Sequence, residues 1–343
     1  MVASKRLTQK DIAQLAGVSQ ATVSLVLNGA LAAQSRIPAE TRERVEKVIR
    51  ETGYVADPVA RRMVKGINRI LGVFTYEPAF PSGQADFFTP FLFGIEEAAQ
   101  ALGYDLLLLT GAGQQRKIFG ENVRLRLADG CLVLGRKFDS AELARLVAGD
   151  FPFVAVGRRD DAGGPVPYVG GDYAPATSAL VERAKAMGHD RIAYVGLNEG
   201  AESTLDRWYG FSRAVGEADL VLTIPAVNRP PAETLDSLLG AGATCVFFTE
   251  LVDAMAVEQV ARQRGLSVPG DLSIVVLGNH IGATEPGRRF TSFLIPREAM
   301  GRAATEMLVR RFEHGAPVEQ LLLPCEPVEG DTLGPHSPKS KKS

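Results

Sequence analysis

Residues 8–29 read TQKDIAQLAGVSQATVSLVLNG, and this stretch decides the fold of the N-terminal part of the chain. Thr8, followed three positions later by an aspartate, predicts a capped helix start. Ile12, Leu15 and Ala16 recur at the spacing of one helical face, which we expect to be buried. The segment therefore begins with a short amphipathic helix.

A second helix is predicted directly after the first. Gly17 permits a sharp corner because it adopts a positive φ without strain, and Ser19 is a suitable N-cap. Val23, Val26 and Leu27 form an apolar stripe that is expected to pack on the first helix. The opposite face is expected to be exposed and carries Gln20, Ala21, Ser24, Leu25 and Asn28. Small and polar side chains suit a helix that lies in the major groove of DNA.

A third helix is predicted over residues 41–54, with Val45, Val48 and Ile49 facing inward. Residues 1–66 hold 11 Lys and Arg against 6 Asp and Glu, whereas the rest of the chain holds 27 against 34. A basic module on an acidic body is typical of nucleic-acid binding, because phosphates attract Lys and Arg. An ordinary helical hairpin is the alternative, and the local charge favours DNA binding.

The same residues resemble a known family. DIAQLAGVSQATVSLVLN is similar to the head-piece of the lactose-repressor (LacI) family, D-[IV]-A-x-x-A-G-V-S-x-x-T-V-S-x-V-L-N, and the family's TRERV and GY follow. The resemblance implies an all-α helix-turn-helix DNA-binding domain over residues 1–56. The DNA-binding residues that we predict in it are Thr8, Ser19, Gln20, Ala21, Thr22, Ser24, Leu25, Asn28, Thr41 and Tyr54.

Residues 57–67 contain DPVARRMVKG, which resembles the family's hinge helix. The resemblance implies that this piece folds when two protomers sit on DNA and that Met63, where leucine is usual, wedges into the minor groove. Ala60 is then expected to lie on the groove floor, and Arg61 and Lys65 to contact phosphates or groove edges. Leu25 stands where the family most often has arginine, so the DNA sequence that is read is expected to differ from the family's commonest one.

From residue 70 onward, short apolar runs alternate with amphipathic helices, which predicts parallel sheets covered on both faces. Landmarks such as GIEEAAQALGYDLLL, GHDRIAYVG and VPGDLSIVVLG are similar to the family's periplasmic-binding-protein-like core. The predicted fold is an α/β core of two Rossmann-like lobes over residues 68–330. We expect the first lobe at about 68–167 plus 297–323, the second at about 168–296, and a disordered tail at 331–343.

Ligands of open α/β sheets bind at the carboxyl ends of the strands, so a binding site is expected in the cleft between the lobes. Phe87, Phe88 and Phe91 follow the first strand and could stack on a ring, although some of them could instead pack the helix onto the sheet. Arg207 falls at the position where the family holds polar groups of its effector, with a surface pairing to Asp206 or Glu202 as the alternative. The remaining predicted effector-binding residues are Arg158, Trp208, Thr249, Glu250 and Asn279. Thr249, Glu250 and Asn279 differ from the residues usual in sugar-binding relatives, so a plain hexose is not assumed.

Other classes of protein are disfavoured. The three cysteines are scattered and suggest free thiols, no metal spacing or nucleophile motif is present, and GAGQQR at residue 111 is a weak dinucleotide signal. We therefore expect no enzyme, no cofactor and no metal. The N-terminus lacks an export signal and no stretch suits a bilayer, which favours the cytoplasm over a membrane or an exported solute receptor. A ligand-independent DNA-binding regulator is the other alternative.

The sequence as a whole predicts a ligand-responsive transcriptional regulator. We expect a homodimeric repressor whose partners are double-stranded operator DNA of near-palindromic sequence and a small-molecule effector: a sugar, a sugar derivative, or a nucleoside or purine. The effector is expected to change the angle between the lobes and, through it, the folding of the paired hinge helices.

Overall fold

The structure is a computed structural model that describes residues 7–28, 37–54, 67–78, 87–110, 116–119, 124–225, 229–278 and 288–336. The chain forms two units, residues 1–68 and 69–343. The helices of the first unit that lie in the described ranges are α1 Gln9–Ala16, α2 Gln20–Asn28 and α3 Ala39–Thr52.

The helix ends of the first unit follow from local chemistry. The Thr8 hydroxyl accepts from the Asp11 backbone N–H, and the Asp11 carboxylate accepts from the Thr8 N–H, which confirms the predicted capping box. Gly17 ends α1 with φ 64°. The Ser19 hydroxyl accepts from the Thr22 N–H at 3.1 Å and caps α2 as expected.

The first unit has a small apolar core. Ile12, Val23 and Val45, one from each helix, are fully buried, and Val48 and Ile49 of α3 pack partly buried around them. The expectation for Leu15 is wrong, because its side chain is 59% exposed while Ala13 is buried. Leu15 lies on the edge of the apolar face, and the core that three short helices enclose is too narrow to cover it.

The second unit contains two parallel sheets, as predicted. Its strands are β1 Ile70–Thr75, β2 Asp105–Leu109, β3 Gly130–Leu134, β4 Phe153–Val156, β5 Tyr168–Asp172, β6 Ile192–Val195, β7 Leu220–Ile224, β8 Cys245–Phe248, β9 Ser273–Val276, β10 Ser292–Leu294, β11 Gln320–Pro324 and β12 Glu326–Val328. The first sheet has the order β11-β5-β4-β3-β1-β2, and the second has the order β7-β6-β8-β9. β10 and β12 form an antiparallel pair.

Helices flank these strands. They are α4 Thr89–Leu102, α5 Ser140–Ala148, α6 Tyr173–Ala186, α7 Glu202–Asp219, α8 Pro231–Gly240, α9 Leu251–Gln263 and α10 Arg297–His314. A break at Gly216, with φ 73°, interrupts α7. Each sheet forms the centre of its own lobe, with one apolar cluster on β6, β8 and β9 and another on β1, β3 and β4.

The chain crosses between the lobes in a different place from the one expected. β5 pairs with β4 and β11 in the first sheet, so residues 168–172 belong to the first lobe and not to the second. β5 is a buried strand that completes the first sheet, and the crossing follows it. The return of α10 and β11 to the first lobe agrees with the sequence.

The expected disorder of the tail is wrong for residues 331–336. Thr332 is fully buried, and its carbonyl accepts from the Ile274 N–H of β9. The Gly334 carbonyl is bonded to a ring nitrogen of His189 at 2.9 Å. The amino-acid composition of residues 331–336 gave no sign of this order, because backbone groups of the segment make the contacts with the second lobe. Residues 337–343 lie outside the described ranges.

Two helices of the first lobe cross at close range. Gly94 of α4 faces the Glu298 carbonyl, and Gly301 of α10 faces the Phe91 carbonyl, each with no room for a methyl group. This reciprocal contact brings the N-terminus of α10 against the start of α4. The two helix starts thereby place Arg297 beside the Phe87–Phe91 segment.

Candidate functional site

The predicted reading face of α2 lies at the surface of the first unit. Gln20, Ala21 and Leu25 are exposed, with Leu25 at 42%, and Thr22 and Ser24 are half-buried. The side chain of Asn28 is not described. The described side chains of this face are all uncharged. Neutral short side chains leave room for base edges to approach the helix.

The other predicted DNA contacts surround this helix or lie outside the described residues. Thr8 and Ser19 are exposed caps, while Thr41 and Tyr54 are half-buried, with Tyr54 packed on the small core. The predicted hinge contacts fall in residues 55–66, which the structure does not describe. They are Ala60, Arg61, Met63 and Lys65.

A cavity of about 290 Å³ lies in the second unit at the carboxyl ends of both sheets. The segments that follow β3 and β4 line it from the first lobe, and those that follow β6, β8 and β9 line it from the second. Its volume is near the lower end of the range of small-molecule sites, roughly 300–1,000 Å³. It is therefore the size of a site for a small metabolite.

The three predicted phenylalanines all line the cavity but differ in burial. Phe88 and Phe91 are 4% and 6% exposed, so they also pack α4 onto the lobe. Phe87 is half-buried and packs edge-on against Phe88, with ring centroids 5.1 Å apart. Phe87 is thus the most exposed of the three phenylalanines that line the cavity.

Arg207 lines the cavity and is held by backbone groups. Its Nε donates to the Leu277 carbonyl at 2.7 Å and its Nη1 to the Ser203 carbonyl at 2.7 Å, while Cζ lies 4.1 Å from the Tyr173 ring centroid. Neither Asp206 nor Glu202 pairs with it. Those carboxylates bind other arginines, so the guanidinium of Arg207 is fixed in place without an ion pair among the described residues.

Arg158 and Trp208 lie away from the cavity wall. The Arg158 Nε donates to Asp206 at 2.8 Å and its Nη1 to Asp160 at 2.6 Å. Burial lowers the pKa of Arg158, but these two carboxylates outweigh it and leave the pKa above its usual value. Trp208 packs on Tyr194, with ring centroids 5.0 Å apart. Arg158 is therefore an ion-pair partner here and Trp208 a packing residue.

The second-lobe wall contains two further predicted residues. Thr249 and Glu250, which follow β8, line the cavity, and Glu250 is exposed. Asn279, the last predicted effector contact, lies outside the described residues. The exposed Glu199, after β6, also lines this wall.

Sequence reasoning missed most of the cationic wall. Arg136, Lys137, Arg159 and Arg297 line the cavity. The first three follow β3 or β4, so their position after a buried strand was a usable signal. Arg297 gave none, because the sequence predicted the return of α10 to the first lobe but not its close crossing with α4.

Two of these arginines are almost completely buried. Arg159, 4% exposed, donates to Glu202 at 3.1 Å and to the Gly135 carbonyl at 2.6 Å. Arg297, 6% exposed, lies with Cζ 5.5 Å from the Phe87 ring centroid. Burial lowers the pKa of Arg297 to about 10, and the charges of Arg207 and Arg136 add to that effect. Arg136 and Arg207 thus lie close enough to Arg297 for their positive charges to disfavour its own.

This geometry defines a class of protein: a helix-turn-helix unit joined in one chain to a two-lobed α/β core with a cavity between its sheets. Residues 8–57 match the family described as bacterial regulatory proteins, lacI family, and residues 181–333 match a periplasmic binding protein-like domain. The two segments span more than half of the chain. Residues 8–57 are therefore a lacI-family domain, joined in one chain to a periplasmic binding protein-like domain, and the chain is a ligand-responsive DNA-binding regulator.

Whole-length relatives carry similar descriptions. The HTH-type transcriptional regulator CelR of Thermobifida fusca is 27% identical over 93% of this chain and 96% of its own length. The HTH-type transcriptional repressor CytR of Escherichia coli is 29% identical over 89% of this chain and 90% of its own. These relatives are transcriptional regulators.

Solved structures share the fold. The Lac repressor dimer bound to operator and the anti-inducer ONPF is 21% identical, with a TM-score of 0.76 over 96% of this chain and all of that one. The CelR–cellobiose complex is 24% identical, with a TM-score of 0.64 over 95% of this chain and all of that one. Within the described part of this chain, no helix is long and apolar enough to cross a membrane.

Proposed function

We propose that the chain is a cytoplasmic repressor that binds a near-palindromic operator as a homodimer and is controlled by a small molecule in the interlobe cavity. The observation that carries this proposal is the presence, in one chain, of an exposed uncharged α2 and a cavity at the carboxyl ends of two sheets. Relatives support it: CytR is named a repressor, and Lac repressor is described as a dimer bound to operator.

The reading of bases is assigned to α2. Gln20 and Ser24 supply hydrogen-bonding groups, whereas Ala21 and Leu25 supply apolar contacts such as that with a thymine methyl. Thr22 belongs to this helix and Ser19 caps it, and both are assigned to positioning contacts together with Thr8, Thr41 and Tyr54. The hinge residues Ala60, Arg61, Met63 and Lys65 are assigned to contacts at the operator centre. Asn28, the last residue of α2, is assigned to a DNA contact at the end of that helix.

The surface of the second unit supports a dimer. β2 is the edge strand of the first sheet and exposes Leu106, and the neighbouring helix α4 exposes 59% of Phe93. Val252 of α9, on the second lobe, is 65% exposed. An open sheet edge can pair with another chain, and contiguous exposed apolar surface marks interaction sites, so we assign this surface to a second copy of the chain.

The effector is assigned to the cavity, with Phe87 and Arg207 as its principal contacts. Phe88, Phe91, Thr249, Glu250 and Asn279 complete the assigned set, whereas Arg158 and Trp208 are left out of it because of their pairing and packing. CelR is described in complex with cellobiose, which gives a precedent for a bound sugar in a relative. Closure of the lobes around the effector is the step that we assign to control of DNA binding.

The DNA-binding half of the proposal is tested by selecting bound sequences from a random double-stranded library and measuring affinities by fluorescence anisotropy. We expect a near-palindromic site whose base preference changes in Gln20→Ala. Gln263→Ala, an exposed residue of α9, is the matched control and is expected to leave the preference unchanged. Enrichment of no sequence, or an identical preference in Gln20→Ala, contradicts the assignment.

The sensing half is tested with Arg207→Ala. We expect this variant to bind the selected operator and to lose the response to the effector found by a thermal-shift screen, because Arg207 is fixed at the cavity by two carbonyls. Arg213→Ala is the control, since Arg213 is an exposed arginine of the same helix stacked over Tyr209. A full response in Arg207→Ala would remove Arg207 from the site.

A further inference from the structure

Two arginines from different elements share one aromatic ring in the cavity. The Arg136 Cζ lies 4.8 Å, and the Arg297 Cζ 5.5 Å, from the centroid of Phe87. Arg136 follows β3 and Arg297 begins α10, so the sheet and the crossing of α4 with α10 bring them together. The ring accepts cations on its face and does not neutralise them.

The positive charges of Arg136 and Arg207 act on Arg297. The pKa of Arg297 is lowered to about 10, first by burial and then by Arg207 and Arg136. Glu77, an acidic residue near this wall, accepts from the backbone N–H of Arg136 at 3.0 Å and forms no ion pair with its guanidinium among the described contacts. Arg159 of the same wall is paired with Glu202, so the positive charge at the cavity surface is concentrated at Arg136, Arg207 and Arg297.

The charge of the cavity is unevenly distributed. Of the five arginines and lysines in its described lining, four belong to the first lobe (Arg136, Lys137, Arg159 and Arg297) and Arg207 to the second, whereas the acidic residues of the described lining, Glu199 and Glu250, belong to the second lobe and are exposed. The second-lobe wall also offers the hydroxyls of Ser203, Thr204 and Thr249. The first-lobe wall suits an anionic group of a ligand, and the second-lobe wall suits the ligand's hydroxyl groups.

We propose that the effector is an anionic metabolite whose phosphate or carboxylate group binds Arg136 and Arg297 at the Phe87 wall, with a hydroxyl-bearing body directed toward Arg207 and the second lobe. This inference rests on the proposed use of the cavity as the effector site. It narrows the ligand from sugars and nucleosides in general to their phosphorylated or acidic forms.

The test is calorimetric titration of the full-length protein with matched probes at low and at moderate ionic strength. The probes are inorganic phosphate, glucose with glucose 6-phosphate and gluconate, and ribose with ribose 5-phosphate. We expect inorganic phosphate and at least one charged member of the panel to bind, and each neutral sugar to bind at least tenfold more weakly than its charged form. Added salt is expected to weaken the charged members selectively. The phosphate and acid members distinguish the two sources of the anion.

Variants locate the anion. Arg136→Gln is expected to weaken binding of the charged probe about tenfold or more, because a charge-assisted contact is lost, and Arg136→Lys to recover part of it. Arg145→Gln is the matched control, since Arg145 is also exposed and lies 4.1 Å over a phenylalanine ring, that of Phe119, outside the cavity. Arg297→Lys, with its melting temperature measured in parallel, tests the second arginine.

Three results overturn the inference: equal affinity for a sugar and its phosphate or acid, full affinity in Arg136→Gln, or no binding of inorganic phosphate and every charged probe. None of these results contradicts the proposed role as a DNA-binding regulator, because operator selection and operator affinity are measured without ligand. Conversely, tight binding of a charged probe by a protein that selects no DNA sequence would refute the regulator and leave the anion site standing.

Discussion

Neighbouring residues with similar predictions have different roles in this protein. Arg207 and Trp208 are adjacent on α7, yet the guanidinium reaches the cavity and the indole packs on Tyr194. Successive helical positions are about 100° apart, so only one of two neighbours faces a given wall. Arg158 and Arg159 differ in the same way at the end of β4: only Arg159 reaches the cavity. The sequence identified the right segments and Arg207 itself, but it did not separate Arg159 from Arg158 or show that Trp208 packs away from the cavity.

A single histidine makes a prediction about pH. His189 is 3% exposed, and its ring nitrogens contact the Thr244 hydroxyl and the Gly334 carbonyl, each at 2.9 Å. Burial lowers its pKa. The unfolded chain, in which histidine titrates near 6.5, then binds more protons than the folded one as the pH falls below that value. His189 therefore contributes stability above about pH 6.5 that is lost on acidification.

The measurement is the melting temperature between pH 7.5 and 5.5. We expect His189→Gln to flatten the acid loss relative to the unmodified chain, because its amide still donates to Gly334 but does not titrate. His314→Gln, at an exposed histidine that ends α10, is the control and is expected to keep the original slope. An unchanged slope in His189→Gln would contradict this origin of the pH dependence.

At the scale of elements, the crossing of α4 with α10 places the cationic wall. Gly94 and Gly301 have no side chain, so the two helix backbones approach closely. The Glu298 carbonyl occupies the place of a Cβ at Gly94, and the Phe91 carbonyl that of a Cβ at Gly301. Helical periodicity predicted both helices but not their crossing, since a glycine in a helix is otherwise only a weak destabiliser. The approach is a property of the pair of helices.

At this scale we predict that two Gly→Ala substitutions change the free energy of unfolding differently: one lowers it, and the other leaves it unchanged or raises it. Gly301→Ala is expected to destabilise the second unit by about 1–3 kcal/mol, because the methyl group overlaps the Phe91 carbonyl. Gly240→Ala in α8 has open space and is expected to be neutral or stabilising by up to about 1 kcal/mol. Denaturant unfolding of both variants measures the difference, and equal effects would mean that the crossing is not tight.

At the scale of the whole second unit, ion pairs join the two lobes beside the cavity. Arg158 and Arg159 follow β4 of the first sheet, and their partners Asp206 and Glu202 lie on α7 of the second lobe. The side chains of Arg158 and Asp206 are 21% and 20% exposed, so water screens them only in part. These pairs hold the lobes at one separation and are expected to favour the ligand-bound arrangement.

Asp206→Asn tests this coupling. Removing the charge is expected to raise the radius of gyration of the unliganded protein in small-angle scattering and to weaken effector binding about fivefold, equivalent to about 1 kcal/mol. Arg158 keeps its bond to Asp160, so the fold is preserved. Asp236→Asn breaks a pair that is confined to the second lobe, with Arg264, and is expected to change neither quantity. If the two variants behave alike, the interlobe pair does not control closure.

The sequence by itself determined the elements and the class of the protein. Capping residues, the corner at Gly17 and the apolar periodicities are local properties, and local backbone energetics decide them. The tertiary structure decided which residues share a site. β5 joins the first sheet, residues 331–336 pack on the second, and Arg297 reaches Phe87 across the helix crossing, because each depends on contacts between segments far apart in the chain. Long-range packing carries no periodic signal, so the cationic wall appears only in the folded molecule.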